Sequence, residues 1–293
     1  MYVGRFAPSP TGPLHFGSLV AAVASYADAR AAKGRWLLRI EDVDTARCSR
    51  AAETEILRQL SAYGFVADGT VVRQRERGAI YEQAIARLTK AGHMFACTCS
   101  RKTLERALRN ADGESIYPGT CRNANVITGV NSMRLRVPDD QHSRVEFTDR
   151  AVGVTAQNIA TDVGDFVLRR ADGCYAYQLA VVLDDAIQDI THIVRGADLL
   201  LNTPRQIFLQ RLLGIATPTY LHVPLVRTID GEKLSKQTLA AAISVDAPVA
   251  TLRAAWAFLQ QRDLGQPESV DMFWKTAIGA WDATRLQRSQ ATL

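Results

Sequence analysis

The chain has 293 residues, enough to bury a sizeable core as one large domain or two. Its 47% apolar and 22% charged residues are those of an ordinary globular chain, no run reaches the ~20 strongly apolar residues of a membrane helix, and no basic-then-apolar leader opens it. The 35 basic against 30 acidic residues give a net charge of +5, which permits a nucleic-acid partner without demanding one, and the 5 cysteines, three of them clustered, fit a reduced cytoplasm and a metal site better than a disulfide scaffold.

In chain order, a β-prone start at Tyr2 and Val3 leads into the stiff loop "RFAPSPTGPLHFGS", and an alanine-rich helix is expected from Leu19. "RWLLRIED" (35–42) reads as a buried strand, residues 51–65 as a helix ended by Gly64, residues 79–93 as an amphipathic helix and "HMFACTCS" (93–100) as a short β segment. This alternation predicts a parallel sheet with covering helices. From 97 to about 180 the chain turns loop-rich, with short strands in "SMRLRV" and "RVEFTDR", as in an inserted subdomain. The α/β pattern returns in "YAYQLAVVLDDAIQDITHIVRGADLL" and a helix over 203–214; after "TIDGEKLSKQ" come two further helices, "APVATLRAAWAFLQQR" and "ESVDMFWKTAIGAWDATRLQ". No internal repeat or low-complexity stretch interrupts this order.

The opening loop suits a nucleotide. A helix N-terminus offers free N–H groups to phosphate, His15 and Ser18 sit just ahead of the expected helix as further donors, and Gly17 lets the backbone approach a ligand. Pro8, Pro10 and Pro13 hold the loop open before anything binds. The usual glycine-rich phosphate signatures are missing. Far along the chain, "DGEKLSKQ" offers Lys233 and Lys236 around Ser235, compact charges suited to a leaving pyrophosphate. Alone, a K-x-x-K pair reads as solvated surface; paired with the opening loop it is far more specific.

Together these segments carry a resemblance. "PSPTGPLHFGS" resembles the HIGH-type signature of class I aminoacyl-tRNA synthetases and "KLSKQ" their KMSKS-type loop, with Ser18 in place of the second histidine and Gln237 in place of the final serine. More narrowly, "RFAPSPTGPLHFGSL", "LRIEDVD", "YQLAVVLDD" and "VRGADLLLNTPRQ" resemble the glutamyl-tRNA synthetase group, in the expected order across residues 5–237. The resemblance implies an α/β fold: a Rossmann-type catalytic core in two halves, 1–96 and 177–240, an inserted zinc-bearing subdomain over 97–176 and a C-terminal helical segment over 241–293.

A glutamate pocket needs two cations and one anion, since buried charges need partners. The resembling motifs supply Arg5 and Arg195 for the carboxylates, Glu41 for the ammonium and Tyr177 for a hydroxyl, while Phe6, Ala7, Pro8 and Ser9 lie in the loop that contacts substrate in the family. Asp42 and Asp44 are candidates to help bind a metal, with solvated positions the favoured reading. ATP would be bound by His15, Gly17, Lys233 and Lys236, with Mg2+, and catalysis assigned to His15, Ser18 and Lys236. Cys97, Cys99 and Cys121 fall one ligand short of a closed tetrahedral zinc site, and Tyr117, His93, His142 and Cys174 are candidates for the fourth. The C-x-C…Y-x-x-x-C pattern resembles that of the glutamyl-Q tRNA(Asp) synthetases, a short branch of the group, and this resemblance selects Tyr117 for a structural Zn2+. Cys48 and Cys174 are assigned to packing or surface.

From Lys236 the chain runs only to residue 293, short of the ~100 residues that a further domain typically needs, so no anticodon-binding domain is expected. The resemblance then implies a cytoplasmic, monomeric enzyme that activates L-glutamate with ATP in the absence of tRNA. It would transfer glutamate to the queuosine base of tRNA(Asp), whose anticodon arm it binds. A shortened enzyme charging the 3′ end of tRNA(Glu) and a catalytically silent RNA-binding protein are the competing expectations.

Overall fold

The computed structural model describes residues 1–110, 113, 115–124, 131–227 and 241–286. Lys233, Ser235, Lys236 and Gln237 lie outside the described residues.

The chain opens with β1 (Val3–Phe6), α1 (Phe16–Ala31), β2 (Arg35–Ile40), α2 (Arg50–Ala62), β3 (Val72–Arg73), α3 (Gly78–Lys90) and β4 (Met94–Cys97). β1 is buried along its whole length and β2 everywhere but Arg35, as near-continuous apolar strands covered on both faces should be. The first helix starts earlier than the alanine run suggests, at Phe16, because the His15 side chain caps it by accepting from the Ser18 amide. Ser18 is therefore inside the first turn and not ahead of it. α2 begins with a Ser49 cap and gives way to Gly64 at φ +72°, where an added Cβ would lie 2.5 Å from Val270.

Next come α4 (Arg101–Leu104), β5 (Ser132–Leu135), β6 (Arg144–Asp149), β7 (Gly153–Asn158), α5 (Ile159–Asp162) and β8 (Val167–Arg169). β4, β5 and β8 form a small antiparallel sheet, whereas the antiparallel β6–β7 hairpin attaches elsewhere. The remaining elements are α6 (Tyr177–Ile187), β9 (His192–Gly196), α7 (Thr203–Leu213), β10 (Thr219–Val223), α8 (Pro248–Phe258) and α9 (Val270–Ala280).

β1, β2 and β3 are parallel neighbours, as are β9 and β10, and β6 adds to the far edge of β10. The two sets meet where the Thr191 amide donates to the Val3 carbonyl at 2.9 Å and the Thr191 hydroxyl accepts from the Val3 amide at 2.9 Å. The outcome is a doubly wound sheet. Phe6, Trp36, Leu38 and Val223 face one core with α1, α2, α8 and α9; Val3, Leu37, Ile193 and Tyr220 face the other with α3, α6 and α7. Among the described residues no helix is long and apolar enough to cross a membrane.

The C-terminal helices are part of this core. Trp274 packs edge-on against Tyr26 and Phe65, and its indole N–H donates to the Tyr63 carbonyl at 2.8 Å. Asp28 on α1 ties four parts of the chain together: it accepts from the Tyr2 hydroxyl at 2.6 Å, both Arg150 Nη atoms at 2.6 and 2.9 Å, and the Trp281 indole at 2.8 Å. Burial opposes its ionisation, but the Arg150 hydrogen bonds and charge outweigh that and hold its carboxyl below the usual range. A carboxyl depressed in the folded state gives its full stabilisation above its unfolded pKa and loses it as pH falls through the folded one. Asp28→Ala, which leaves Arg150, Tyr2 and Trp281 without this acceptor, is expected to cost about 3–5 kcal/mol in urea unfolding at pH 7. The difference from wild type should shrink in acid, below pH ~4.

Candidate active site

A cleft of about 310 Å³ opens at the C-terminal ends of β1, β9 and β10, the place where an open parallel sheet offers a ligand its crevice. Arg5, Phe6, Ala7, Pro8, Ser9, His15, Gly17, Ser18, Glu41, Tyr177 and Arg195, all expected at the site from sequence, line it. The loop after β1 is pinned by backbone: the Pro8 carbonyl accepts from Glu41 N–H and the Pro10 carbonyl from Ser49 N–H, both at 3.0 Å.

The cleft floor is a buried charge cluster. Asp185 of α6 accepts from Arg5 Nε at 3.0 Å and Arg39 Nη1 at 2.8 Å. The other Nη of Arg39 reaches Glu41 Oε1 at 3.0 Å, and its Nη1 also meets Gln188 Oε1 at 2.9 Å. Arg39 is fully buried and acts as an internal counter-ion for both carboxylates. Arg5 keeps Nη1 uncommitted among the described residues, and Glu41 keeps Oε2. Burial pushes the Glu41 carboxyl above its ordinary range despite Arg39 and Arg5; in Asp185 the two guanidiniums outweigh burial and hold the carboxyl below it. Burial likewise raises Tyr177, keeping its hydroxyl protonated.

Arg195, at the end of β9, donates from Nε to His222 Nε2 at 3.1 Å, from Nη2 to Thr203 Oγ1 at 2.8 Å and from Nη1 to Tyr177 at 3.4 Å. The next residue is Gly196, which leaves room for the Asp198 carboxylate: a Cβ there would lie 2.5 Å from Asp198 Oδ1, so a larger residue would require that side chain to move. Asp198 also lines the cleft, a position the sequence reading did not single out.

At the other end, His15 Nδ1 accepts from Ser18 N–H at 3.2 Å and its Nε2 lies 3.1 Å from Ser18 Oγ. Imidazole and hydroxyl are thus coupled at the α1 N-terminus, where the helix dipole favours an anion. Ala242 forms a β-bridge with His15, and the Ile243 amide donates to the Leu14 carbonyl at 2.9 Å. Buried Gln59 of α2 clamps both segments, accepting from Leu14 N–H at 2.8 Å and donating to the Ile243 carbonyl at 3.1 Å. Lys233 and Lys236, outside the described residues, precede this anchored segment.

Away from the cleft, the Sγ atoms of Cys97, Cys99 and Cys121 lie within 4.8 Å of one another, the one such group among the described residues. Cys99 and Cys121 are 3.6 Å apart, and the Tyr117 hydroxyl is 3.4 Å from Cys97 Sγ and 3.9 Å from Cys99 Sγ. Metal–sulfur bonds of ~2.3 Å set the edge of a tetrahedron at roughly 3.8 Å, so these spacings fit a four-coordinate ion. His142 is exposed beside Asp140, and Cys174 borders a separate groove with Asp172 and Tyr175, so neither joins the cluster. Burial opposes ionisation of Cys121, but hydrogen bonds from the Thr98 backbone and from the Tyr117 and Thr98 side chains bring its thiol down to about 6.

One expectation is overturned. Asp42, read as solvated, is buried, accepting from the Arg75 amide at 2.9 Å and from its guanidinium at 2.5 Å; the loop folds back onto the Gln74–Glu76 turn. Asp44 is mostly covered too, held by Arg47 and Arg170, both at 2.9 Å. The sequence reading also missed Arg39, Asp185, His222 and Asp149. Two of these stood in quoted motifs, "LRIEDVD" and "YQLAVVLDD", where a charge inside an apolar run was the available signal.

Residues 2–247 match the family model described as tRNA synthetases class I (E and Q), catalytic domain. The chain is 57% identical to the glutamyl-Q tRNA(Asp) synthetase of Thiobacillus denitrificans over 86% of its own length and 83% of that protein's. It is 54% identical to that of Burkholderia mallei over 96% of both chains, and 50% identical to that of Pseudomonas paraeruginosa over 100% and 97%. A crystal structure of glutamate-tRNA synthetase from Elizabethkingia anophelis superposes with a TM-score of 0.78 at 25% identity; 96% of this chain is covered, which spans 66% of that one. The chain therefore belongs to the glutamyl-Q tRNA(Asp) synthetase family and carries the catalytic domain of the class I synthetases for glutamate and glutamine.

Proposed function

We propose that this protein is a cytoplasmic, monomeric ligase that activates glutamate with ATP, without tRNA, and transfers it to the queuosine base at the wobble position of tRNA(Asp). The observation that carries the reading is the cleft itself: two guanidiniums and one carboxylate with unspent hydrogen-bonding capacity, beside a helix N-terminus that bears His15 and Ser18. Arg5 and Arg195 bind the two carboxylates of glutamate, Glu41 takes the ammonium, and Tyr177 donates a hydroxyl. Phe6, Ala7, Pro8 and Ser9 shape the wall. The glutamate α-carboxylate attacks the α-phosphorus of ATP in line, so the protein contributes orientation and charge stabilisation and no covalent nucleophile. His15, Ser18 and the Gly17 backbone stabilise the developing phosphate charge; Lys233 and Lys236 follow the leaving pyrophosphate, and Mg2+ accompanies ATP. A hydroxyl of the queuosine ring then attacks the mixed anhydride, releasing AMP. The names of the relatives, covering most of both chains, support queuosine as acceptor over the 3′ end of tRNA(Glu).

For the cysteine cluster we propose Zn2+ held by Cys97, Cys99, Tyr117 and Cys121. Burial and the neighbouring thiols push the Tyr117 hydroxyl up, while the Cys121 amide, donating to its oxygen at 2.7 Å, and the Arg134 guanidinium, 3.9 Å over its ring, favour a phenolate-type donor that a bound dication would complete. The ion is structural: it ties the loop to β4 and takes no part in the chemistry.

Glutamate-dependent ATP–pyrophosphate exchange without RNA, followed by transfer to queuosine-containing tRNA(Asp) and not to tRNA(Glu), is the expected pattern. No exchange, or preferred charging of tRNA(Glu), overturns the reading. Because the free-site Glu41 carboxyl is raised, acid neutralises it before the ligand's own carboxylates. The KM for glutamate should therefore climb as pH falls through that raised value, with the KM for ATP steady; Glu41→Gln should raise it about 30-fold or more at neutral pH.

Elemental analysis should find one zinc per chain. Cys99→Ser should lose the ion and lower the melting temperature, while Tyr117→Phe should bind zinc more weakly in a chelator competition.

A further inference from the structure

Arg195 is held by a buried pair that sequence reasoning passed over. His222 on β10 is completely buried, as is Asp149 at the end of β6, and Asp149 Oδ2 lies 2.7 Å from His222 Nδ1. The other ring nitrogen, Nε2, is 3.1 Å from Arg195 Nε. An arginine Nε can only donate, so His222 Nε2 must be the bare acceptor, and the single proton of the neutral ring must sit on Nδ1, facing the Asp149 carboxylate. Asp149 is itself fixed: Oδ1 accepts from the amides of Ala151 at 2.9 Å and Val152 at 3.0 Å, and Oδ2 from the His222 amide at 3.1 Å. Thr203 completes the seat: its hydroxyl accepts from Arg195 Nη2 at 2.8 Å and lies 3.1 Å from the Leu199 carbonyl and 3.2 Å from His222 Nε2. Its proton goes to one or other acceptor, and in either case Nε2 remains an acceptor beside Arg195 Nε.

From this geometry we infer that Asp149 and His222 are positioning residues for the amino-acid pocket: they fix the imidazole tautomer that holds Arg195 by Nε, so that its remaining N–H groups face a substrate carboxylate. The inference deepens the proposed function and rests on it for the identity of that carboxylate. Neither residue touches the substrate. A guanidinium anchored by one edge enters the cleft with its fork already oriented, which lowers the entropy cost of clamping a carboxylate. The position is encoded by β6 and β10 lying side by side, with Asp149 opposite Tyr220, two residues before His222. Burial, and then the Arg195 charge, oppose protonation of the ring more than Asp149 promotes it, consistent with a neutral imidazole.

Asp149→Asn is the discriminating change. Its Oδ1 continues to accept from the Ala151 and Val152 amides, which turns the new NH2 toward His222 Nδ1. The ring must then protonate on Nε2 and set an N–H against Arg195 Nε–H, the tautomer error that follows when a carboxylate behind a histidine becomes an amide. Long-range 1H–15N spectra of the full-length protein, with His222 assigned by loss of its signals in His222→Gln, should show an Nδ1–H tautomer in the wild type and an Nε2–H tautomer in Asp149→Asn. In pyrophosphate exchange, Asp149→Asn and His222→Leu should raise the glutamate KM about tenfold or more and move the ATP KM less than about twofold. His222→Gln, which carries an acceptor oxygen near the Nε2 position, should recover most of that loss. An Nε2–H or doubly protonated His222 in the wild type overturns the inference whatever the activity. So does an unchanged glutamate KM in folded Asp149→Asn, a parallel rise in both KM values, or a Gln variant no better than Leu. Absence of glutamate-dependent exchange in the wild type, with the tautomer as stated, instead overturns the proposed function.

Discussion

Asp185 is buried between two arginines from the first half of the sheet, and the cleft exists because of that arrangement. Arg5 leaves β1 and Arg39 belongs to β2, while Asp185 comes from α6, on the far side of the insertion. A buried carboxylate forfeits several kcal/mol of hydration and is tolerated only with close, hydrogen-bonded partners. The pairing therefore fixes where α6 must lie over the sheet, across 180 residues of sequence in the case of Arg5. Its neighbour Asp184 does the same for α3, accepting from Arg77 Nε at 2.6 Å, Tyr81 at 2.8 Å and Gln74 at 2.9 Å. Two consecutive aspartates thus lock two different elements, and both halves of the core close around them.

Apolar residues of similar volume would often serve stability as well as buried ion pairs do, so stability alone does not account for this floor. What it does account for is readiness. Arg39 satisfies the inner face of both carboxylates, which leaves Arg5 and Glu41 oriented with one hydrogen-bonding edge each toward the cleft. A ligand with two carboxylates and an ammonium meets donors and an acceptor already in place, with no reorganisation needed at the moment of reaction. The phosphate end follows the same rule. His15 caps α1, and Gln59 braces both the Leu14 backbone and the segment at Ile243, so two distant stretches of chain are fastened within one hydrogen-bonded knot.

Local rules read much of this from sequence alone. The apolar strand at β2, the helix limits near Gly64 and Gly214, and the alternation that makes a doubly wound sheet all follow from periodicity and turn chemistry. The lining of the cleft was legible because long motifs place Arg5, Glu41, Tyr177 and Arg195 together. The supporting residues were not. Arg39 and Asp185 look like surface charges until their partners are known, because pairing across more than a hundred residues leaves no local pattern. His222 sits in an ordinary β run, and its function depends on which strand lies beside it. Asp42 was misplaced for a related reason: an acidic residue after a strand suggests a solvated turn, and only Arg75 folding onto it makes burial affordable.

The cysteine cluster extends this chain of fixed contacts to the insertion. Among the described residues the apolar cluster around it is small, Phe95, Cys97, Tyr117 and Cys121, so the loop bearing Tyr117 and Cys121 has little burial of its own, while Leu135, Val137, Phe166 and Leu168 of the same insertion join the second core. Arg134 and Arg136 lie over the rings of Tyr117 and Phe95, adding cation–π contacts where aliphatic packing is lacking. β4 carries Cys97 and follows directly from α3, which Asp184 anchors beside Asp185. An ion closing the three thiolates and Tyr117 would therefore fix the loop to a strand whose position is already referred, through α3 and the aspartate pair, to the cleft floor. The insertion is referred to the same place by burial, because Leu135, Val137, Phe166 and Leu168 lie in one apolar cluster with Tyr81 and Ile85 of α3 and Leu179 and Val182 of α6. These are the two helices that the Asp184 hydrogen bonds to Arg77 and Tyr81 tie together beside the cleft floor.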